Sequence, residues 1–328
     1  MVNLILNNEK KIQIENNITI FSEAYKYSVF FDHSCLNGQC GSCKALLING
    51  LTTTDNSESG LSLEEKERGY ILTCVRFAQS DIEIEVECIS DVNFALSRTL
   101  PTKVANMTFV SEYILELSLR FPPGTNFNFL PGQYVTVIRN SIKRKYSIAG
   151  RNTEGHLLFF IKKYTNGKLS KYFFNEMKKN DLLYLEGPAG SFYYHNNNVS
   201  CSIFLATGTG VAPIKAILDD LEDDPSKLNN KEFHLFIGAR KTGDLFWKPH
   251  YRNIKVNVYL CLSQSDEVGC HSGYVQDVLL ASALNIANSD VYACGSLEMI
   301  RDAKAKLLNT GLNTKYFYSD AFVSTNDK

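Results

Sequence analysis

Four of the nine cysteines have a spacing that is typical of thiolate ligands. Cys35, Cys40 and Cys43 form a C-x4-C-x2-C pattern, and Cys74 follows far downstream. Plant-type 2Fe-2S clusters are bound in this way, with three ligands from one tight loop and the fourth from a remote position. These four residues are therefore the predicted metal ligands.

Two alternatives use related cysteine patterns. A zinc site more often combines two C-x2-C pairs, and a thioredoxin-like Cys40-Gly41-Ser42-Cys43 sequence expects a βαβ context. Gly38 and Gly41 favour the cluster, because glycine lets the loop backbone approach the sulfur atoms closely. The other cysteines lie in or beside predicted strands and are expected to be small core residues: Cys88, Cys201, Cys261, Cys270 and, on the residues alone, Cys294.

A second group of chemically useful side chains is Arg144-Lys145-Tyr146-Ser147, which follows a predicted strand. It resembles the R-x-Y-S flavin motif of the ferredoxin-NADP reductase superfamily. The resemblance implies that Arg144 pairs with the FAD pyrophosphate, Tyr146 stacks on the isoalloxazine and Ser147 hydrogen-bonds near flavin N5. A guanidinium fork, an aromatic face and a hydroxyl each suit the implied role.

Further along, Gly167-Lys168-Leu169-Ser170 opens a predicted helical stretch, where N–H groups and the Ser170 hydroxyl can hold phosphate. In the resemblance Gly167 and Ser170 form the second pyrophosphate contact. The segment 186–192 matches the G-P-x-G-x-F turn of the same superfamily, and we assign it no catalytic role.

The sequence Gly208-Thr209-Gly210 lies between a predicted strand and a predicted helix, so it can admit a pyrophosphate to the start of that helix. It resembles the nucleotide loop of the superfamily. Cys294-Gly295 ends a later strand at the carboxyl edge of the predicted sheet, where such folds bind ligands. The resemblance places Cys294 beside the nicotinamide ring.

Near the C-terminus, Asp320 and Phe322 match an acidic-x-aromatic ending. In the resemblance the aromatic ring covers the flavin, and the acid handles a proton or positions nicotinamide; many members have Glu where this chain has Asp320. After the strand 256–262, NADP-using relatives place a Ser-Arg pair that binds the 2′-phosphate, whereas this chain has Ser263-Gln264. We therefore expect NADH to be preferred to NADPH.

These motifs require three kinds of structural element to position them. Short strands with alternating polarity up to about residue 87 indicate a small α+β unit, for which the resemblance implies the β-grasp fold of ferredoxins. Regularly spaced strands then indicate an antiparallel β-barrel, and alternating strands and helices indicate a doubly wound parallel sheet. We expect a 2Fe-2S domain at 1–90, an FAD domain at 100–197 and an NAD domain at 198–328, with a linker near 90–102.

Composition narrows the possible partners. The chain has 34 basic and 35 acidic side chains among 328 residues. Its net charge is therefore too small to attract nucleic acid or an anionic membrane to the protein as a whole. It has neither a run of about 20 apolar residues nor a signal-peptide pattern. We expect a cytoplasmic protein with reduced or metal-bound thiols.

Together the motifs predict an electron-transfer enzyme with three redox groups. NADH delivers a hydride, whereas a 2Fe-2S cluster accepts one electron at a time, so FAD must stand between them. The chain resembles reductases of 3,6-dideoxyhexose biosynthesis at residues 34–44, 292–297 and 319–323. The resemblance implies a pyridoxamine-dependent CDP-sugar dehydrase as electron acceptor. Oxygenase reductases share the domain order and give an alternative acceptor, and a redox sensor without turnover is an alternative of another class.

Overall fold

The computed structural model describes residues 1–228 and 231–323. The chain forms two compact units. The first contains residues 1–93, the short segment 190–192 and the described residues from Asp320 onward. The second contains residues 94–189 and 193–319.

The first unit contains a five-stranded mixed sheet in the order β2-β1-β8-β4-β6, together with two short two-stranded ladders. Strands β1 and β8 are parallel, whereas β1 with β2 and β4 with β8 are antiparallel. Its elements are β1 (Val2–Leu6), β2 (Lys10–Ile14), α1 (Ile20–Lys26), β3 (Phe30–Phe31), β4 (Lys44–Asn49), β5 (Thr52–Thr53), α2 (Leu63–Glu67), β6 (Tyr70–Leu72), β7 (Phe77–Ala78), β8 (Ile82–Glu85) and β9 (Cys88–Ile89).

The core of this unit follows from the alternation of its strands. Leu4, Leu6, Ile82 and Ile84 alternate with more exposed residues on the paired strands β1 and β8, and all four are buried. Helix α1 begins at an N-cap, Thr19, whose hydroxyl accepts the backbone N–H of Ser22, and it adds buried side chains to the same core. This is the predicted β-grasp arrangement.

The first part of the second unit is a six-stranded antiparallel sheet in the order β13-β12-β15-β10-β11-β14. Hydrogen bonds from Ala149 N–H to Leu158 O and from Leu158 N–H to Gly150 O bring the two ends together, which gives the predicted barrel. Its elements are β10 (Arg98–Ser111), β11 (Ile114–Arg120), β12 (Tyr134–Arg139), β13 (Ile142–Ser147), β14 (Leu157–Lys162), α3 (Lys168–Lys171), a π-helical turn (Tyr172–Glu176) and β15 (Leu182–Ala189).

The predicted linker near 90–102 is wrong at its C-terminal end, because β10 begins at Arg98 and passes through Pro101. Residues 98–103 pair with β15, and the ladder with β11 starts only at Lys103. A proline has no N–H to donate, so it fits a stretch of strand that pairs on one side.

The second part of this unit is a parallel sheet in the order β19-β18-β17-β16-β20-β21, and the last residues of β21, from Asp320 onward, belong to the first unit. The central pairings of β16 with β17 and with β20 are parallel, as in a doubly wound fold. The elements are β16 (Cys201–Thr207), α4 (Val211–Asp223), β17 (Glu232–Ala239), β18 (Val256–Leu262), β19 (His271–Ser272), α5 (Val275–Ala281), β20 (Ser289–Ser296), α6 (Leu297–Asn309) and β21 (Phe317–Phe322).

The central strands of this sheet are covered on both faces. Every residue of β16 except Thr207 is buried, which explains why its sequence is continuously apolar rather than alternating. The predicted fold class is confirmed for all three parts of the chain. None of the described helices is long and apolar enough to span a membrane.

Candidate redox sites

The four predicted thiolate ligands form two adjacent pairs in the first unit. Cys35 and Cys40 lie in the loop between β3 and β4, where Cys40 N–H donates to Cys35 Sγ at 3.4 Å. Cys43, at the end of the same loop, shares a hydrogen bond with Cys74. Among the described residues, no three His, Cys, Asp or Glu side chains surround a single point as ligands of one metal ion. A pair of thiols at each of two positions suits a cluster with two iron ions.

The pKa values of the thiols show how many thiolates the loop stabilises without a metal. A hydrogen bond from the Cys40 side chain, together with backbone N–H groups of Asn37, Gln39 and Cys40, lowers the pKa of Cys35 to about 6. Sharing a proton with Cys74, followed by burial, raises the pKa of Cys43. A second thiolate within each pair is disfavoured unless a cation neutralises it. Iron ions would supply that charge, so the residues fit the cluster.

The glycines of the loop allow close backbone packing. Gly38 and Gly41 have φ angles of 79° and 83°, which favour glycine. A Cβ at Gly38 would lie 2.5 Å from Ser57 O, and one at Gly41 would lie 2.7 Å from Gly60 O. The loop is therefore built around two positions where a side chain has no room.

Two residues that directly precede Cys35 make further hydrogen bonds in the first unit. Ser34 Oγ donates to the Asp320 carboxylate at 2.6 Å, and both side chains are buried. His33 Nε2 accepts the N–H of Gly190 at 3.0 Å, and His33 N–H donates to Ser191 Oγ at 2.8 Å. No sequence motif pointed to His33 or to the Ser34 contact.

In the second unit, the predicted flavin residues lie on β13. Arg144 and Tyr146 are partly buried and alternate with the exposed Lys143 and Lys145, so they share one face of the strand. Tyr146 packs edge-on against Phe173, with ring centroids 5.8 Å apart. Its burial raises the pKa of the hydroxyl, which keeps the ring neutral.

Ser147 is the last residue of β13 and is buried. It pairs with Tyr134 on β12, and the following residue, Ile148, donates its N–H to Gln133 O at 2.9 Å. A hydroxyl at a fixed strand end can be aimed at one atom of a planar ligand.

The second predicted phosphate segment forms a short helical turn. Gly167 precedes α3, and its carbonyl oxygen accepts the N–H of Lys171 at 2.8 Å. Ser170 is buried, and its Oγ accepts the N–H of Tyr164 at 2.7 Å. A hydroxyl that accepts one hydrogen bond can still donate its own proton to a phosphate oxygen.

The structure brings the nucleotide loop and Cys294 together. Gly208, Thr209 and Gly210 form a 3-10 turn between β16 and α4. A Cβ at Gly210 would lie 2.2 Å from Cys294 O, so the two backbones touch. Gly208 has a φ of 55°, and a Cβ there would meet nothing within 4 Å. The loop is thus closed toward Cys294 and open at Gly208, which fits a phosphate group approaching the backbone.

Gly295 completes this arrangement from the other strand. A Cβ at Gly295 would lie 2.0 Å from Thr207 Oγ1, and the same hydroxyl accepts the N–H of Ser296 at 3.4 Å. Cys294 pairs with Ala206 across the two parallel strands and is buried. Thr207 was not singled out from the sequence, because its role depends on a strand that is distant along the chain.

The barrel and the parallel sheet meet within the second unit. A Cβ at Gly150, three residues after Ser147, would lie 3.2 Å from Asp219 Oδ2 on α4. Phe160 on β14 makes an edge contact with Phe246, with centroids 5.1 Å apart. The strand end with the flavin motif therefore lies near the helix that begins at the nucleotide loop.

The loop expected to determine nucleotide preference follows β18. Gln264 and Asp266 are exposed, and Gln264 N–H donates to Arg240 O at 3.1 Å. This bond joins the loop to the basic turn after β17, where Arg240 and Lys241 are exposed. The positive charges of this turn therefore lie close to Gln264, where they favour a phosphate and so oppose the preference expected from Gln264.

The remaining cysteines only partly follow the expectation of core positions. Cys201, Cys261 and Cys294 are buried, and Cys270 is half-buried. Cys88 is exposed, so the prediction of a core residue is wrong there. The reason is its position on β9, a two-residue strand whose only ladder is with β3 among the described strands.

Three family descriptions match successive parts of the chain. They are a 2Fe-2S iron-sulfur cluster binding domain at residues 5–79, an oxidoreductase FAD-binding domain at 101–194 and an oxidoreductase NAD-binding domain at 204–305. The three cofactors expected from the sequence are thus confirmed at the level of the domains.

Several curated relatives align along nearly the whole chain. The chain is 36% identical over 313 residues to CDP-6-deoxy-L-threo-D-glycero-4-hexulose-3-dehydrase reductase of Yersinia pseudotuberculosis serotype I (strain IP32953), with 93% of each chain covered. It is 28% identical to the toluate 1,2-dioxygenase electron transfer component of Pseudomonas putida, covering 94% of this chain and 93% of that one.

Among solved structures, the Amycolatopsis cytochrome P450 reductase GcoB has the same fold, with a TM-score of 0.78, 19% identity and 99% of both chains covered. The chain belongs to the family of the CDP-6-deoxy-L-threo-D-glycero-4-hexulose-3-dehydrase reductases, NADH-dependent electron-transfer enzymes that combine a 2Fe-2S domain, an FAD-binding domain and an NAD-binding domain.

Proposed function

We propose that the chain passes electrons from NADH, bound by a domain at 198–328, through FAD, bound at 100–197, to a 2Fe-2S cluster in the domain at 1–90. The ligands of the cluster are Cys35, Cys40, Cys43 and Cys74. The observation that carries this assignment is the arrangement of the four thiols as two adjacent pairs. Two such pairs would hold a dinuclear cluster.

When bound, FAD accepts two electrons as a hydride and releases them one at a time to the cluster. The residues of the chain bind and orient it. Arg144 provides a planar guanidinium for the pyrophosphate, and Gly167 and Ser170 provide a second contact. Tyr146, held in place by Phe173, provides a flat apolar face for the ring.

The reacting end of the site is assigned to Ser147 and Cys294. Ser147 is buried at the end of β13 and orients the ring atom that accepts the hydride. Cys294 is buried next to the nucleotide loop of Gly208, Thr209 and Gly210, and we assign it to the nicotinamide. Gly295 allows this strand end to approach Thr207.

Asp320 and Phe322 are assigned from the resemblance. Phe322 is partly buried and would cover the flavin ring, while Asp320 would position nicotinamide or handle a proton. The Asp320 carboxylate accepts a hydrogen bond from Ser34, so this second role requires the bond to break or to be shared.

The physiological acceptor is a pyridoxamine-phosphate-dependent CDP-sugar dehydrase. The relative with 36% identity is named as the reductase of a CDP-6-deoxy-hexulose-3-dehydrase, and it aligns over 93% of this chain. Residues 1–93 carry 14 acidic and 7 basic side chains, so a partner with a basic docking surface would be attracted to the domain that holds the cluster. We expect the complex to form in the cytoplasm.

An oxygenase is the alternative acceptor. The toluate dioxygenase component supports it with 28% identity over a similar share of the chain. Both acceptors require the same internal electron path, so only a test with the partner proteins separates them.

The first prediction separates the cluster from the flavin. Cys74→Ser should remove the visible absorbance of the cluster, because a serine hydroxyl is a poor substitute for a thiolate ligand. FAD content and NADH-dependent reduction of ferricyanide should be retained. The control is Cys88→Ser, which replaces an exposed cysteine of the same domain and should keep the cluster. Loss of FAD from a folded Cys74→Ser protein contradicts the assignment.

The second prediction concerns the step from NADH to the flavin. Ser147→Ala should slow flavin reduction at least about tenfold while FAD binding changes little, because a positioned hydrogen bond is lost. Stopped-flow absorbance measures the rate. Ser118→Ala removes another buried hydroxyl of the same barrel and should reduce at the wild-type rate. Equal rates of flavin reduction in the two variants would contradict the proposed role of Ser147.

The third prediction is that NADH is preferred to NADPH, measured as kcat/KM. Gln264→Arg should increase kcat/KM for NADPH by about tenfold, because a guanidinium can bind the 2′-phosphate. The matched control is Val268→Arg, which adds the same charge to a fully exposed position of the same loop. Equal use of both nucleotides by the wild type contradicts the preference, and equal gains in both variants show that Gln264 is not the discriminating position.

The fourth prediction identifies the partner. The purified protein with NADH should supply electrons to a CDP-sugar dehydrase and yield a 3-deoxy sugar, and the rate should fall as salt screens the acidic domain. Cys74→Ser should give no product. If the sugar intermediate stays unreduced while an oxygenase accepts electrons from the protein, the alternative acceptor is correct.

A further inference from the structure

The loop that carries three of the predicted cluster ligands is covered by a short segment, Ser57–Gly60, which we call the strap. Gly60 N–H donates to Gly38 O at 2.9 Å. A Cβ at Gly41 would lie 2.7 Å from Gly60 O, so the strap and the loop are in backbone contact. The strap thus packs directly against the backbone of the loop.

Glu58 connects the strap to the segment that carries the fourth ligand. Its buried carboxylate accepts the N–H of Leu72 at 2.8 Å and binds Arg76 through two contacts, Nε at 3.0 Å and Nη2 at 2.5 Å. Leu72 and Arg76 lie two residues before and two residues after Cys74. One side chain therefore holds both flanks of the remote ligand.

Arg76 is itself held in place. Its Nη1 donates to Thr52 Oγ1 at 3.2 Å, and its backbone oxygen accepts the N–H of Ile20 at 2.9 Å. Only about a quarter of the Arg76 side chain is exposed, and 5% of the Glu58 side chain is. A planar guanidinium bound at two points to a buried carboxylate has one favourable geometry, and removal of either partner leaves an uncompensated charge.

A separate contact fixes the other ligand of this pair. Thr73 donates both its N–H and its hydroxyl to Cys43 O, at 3.1 and 3.0 Å. Thr73 therefore sets Cys74 relative to Cys43, whereas Glu58 sets the Cys74 segment relative to the strap, and through the strap to Gly38 and Gly41.

We propose that Glu58 is a positioning residue for the 2Fe-2S cluster, which it serves through its ion pair with Arg76 by holding the Cys74 segment against the loop of Cys35, Cys40 and Cys43. The inference rests on the proposed cluster site. It assigns to one buried ion pair both the retention of the cluster and a share of its reduction potential.

The first test measures release of iron to a chelator from the intact, cluster-loaded protein. Glu58→Gln and Arg76→Met should each release iron about tenfold faster than the wild type, as expected for loss of a residue that orients a ligand. FAD content and NADH-dependent ferricyanide reduction should stay at wild-type levels.

The matched control is Glu23→Gln. Glu23 is another buried carboxylate of the same unit, which accepts the N–H of Glu15 at 2.7 Å and pairs with Lys26 at 2.5 Å, and both of these partners lie far along the chain from the predicted ligands. Its iron release should resemble that of the wild type. Release from Glu58→Gln that is no faster than from Glu23→Gln overturns the proposal.

The second readout is the midpoint potential of the cluster. A merely structural role would not shift this potential in opposite directions in Glu58→Gln and Arg76→Met. Glu58→Gln leaves the positive charge of Arg76 unopposed and should raise the potential, whereas Arg76→Met leaves the Glu58 carboxylate and should lower it. Shifts of the same sign, or no shift, overturn the proposal.

A variant or a wild-type protein that binds no cluster is tested separately. If Glu58→Gln cannot be loaded with a cluster, iron release is measured in Arg76→Lys, which keeps the charge but not the two-point contact; release as slow as from Glu23→Gln then overturns the proposal. If the wild type binds no cluster, the proposed function fails, whereas a loaded wild type with unaffected variants refutes only the role of Glu58.

Discussion

Binding a dinuclear iron cluster brings four thiolates together inside a small domain, and like charges that lie this close repel one another unless cations neutralise them. The first unit is arranged around that constraint. Backbone N–H groups of Asn37, Gln39 and Cys40 point at Cys35 and stabilise its thiolate. Because such donors must come from a tightly turned backbone, Gly38 and Gly41 occupy left-handed conformations with no room for side chains.

The proposed nucleotide site of the second unit depends on a related constraint, the close approach of two strand ends. Gly210 lies against the Cys294 carbonyl, and Gly295 lies against the Thr207 hydroxyl. Larger residues at either glycine would separate β16 from β20 at the carboxyl edge of the sheet. The same edge is where doubly wound folds bind ligands, so the packing of the sheet and the shape of the site are set by the same residues.

The sequence predicts those features of the structure that depend on residues close together along the chain. The cysteine spacing and the Gly208–Gly210 turn are local patterns, and the strand and helix periodicities identified the three folds. Pro101 inside β10 was missed, because a one-sided strand pairing cannot be seen from neighbouring residues. Glu58 lies in an ordinary polar loop, and its importance appears only when Leu72 and Arg76 are folded beside it.

The length of the acidic side chain at residue 320 is matched to one contact. The Asp320 carboxylate meets Ser34 Oγ at 2.6 Å, and Ser34 directly precedes the predicted ligand Cys35. A glutamate with the same backbone position would carry its carboxylate farther by one carbon–carbon bond, about 1.5 Å, and would not fit this hydrogen bond without a rearrangement. The shorter acid therefore matches the serine beside the cluster loop. Because both side chains are buried, replacing either one alone would leave the other without this partner, so the identity of residue 320 is coupled to that of residue 34.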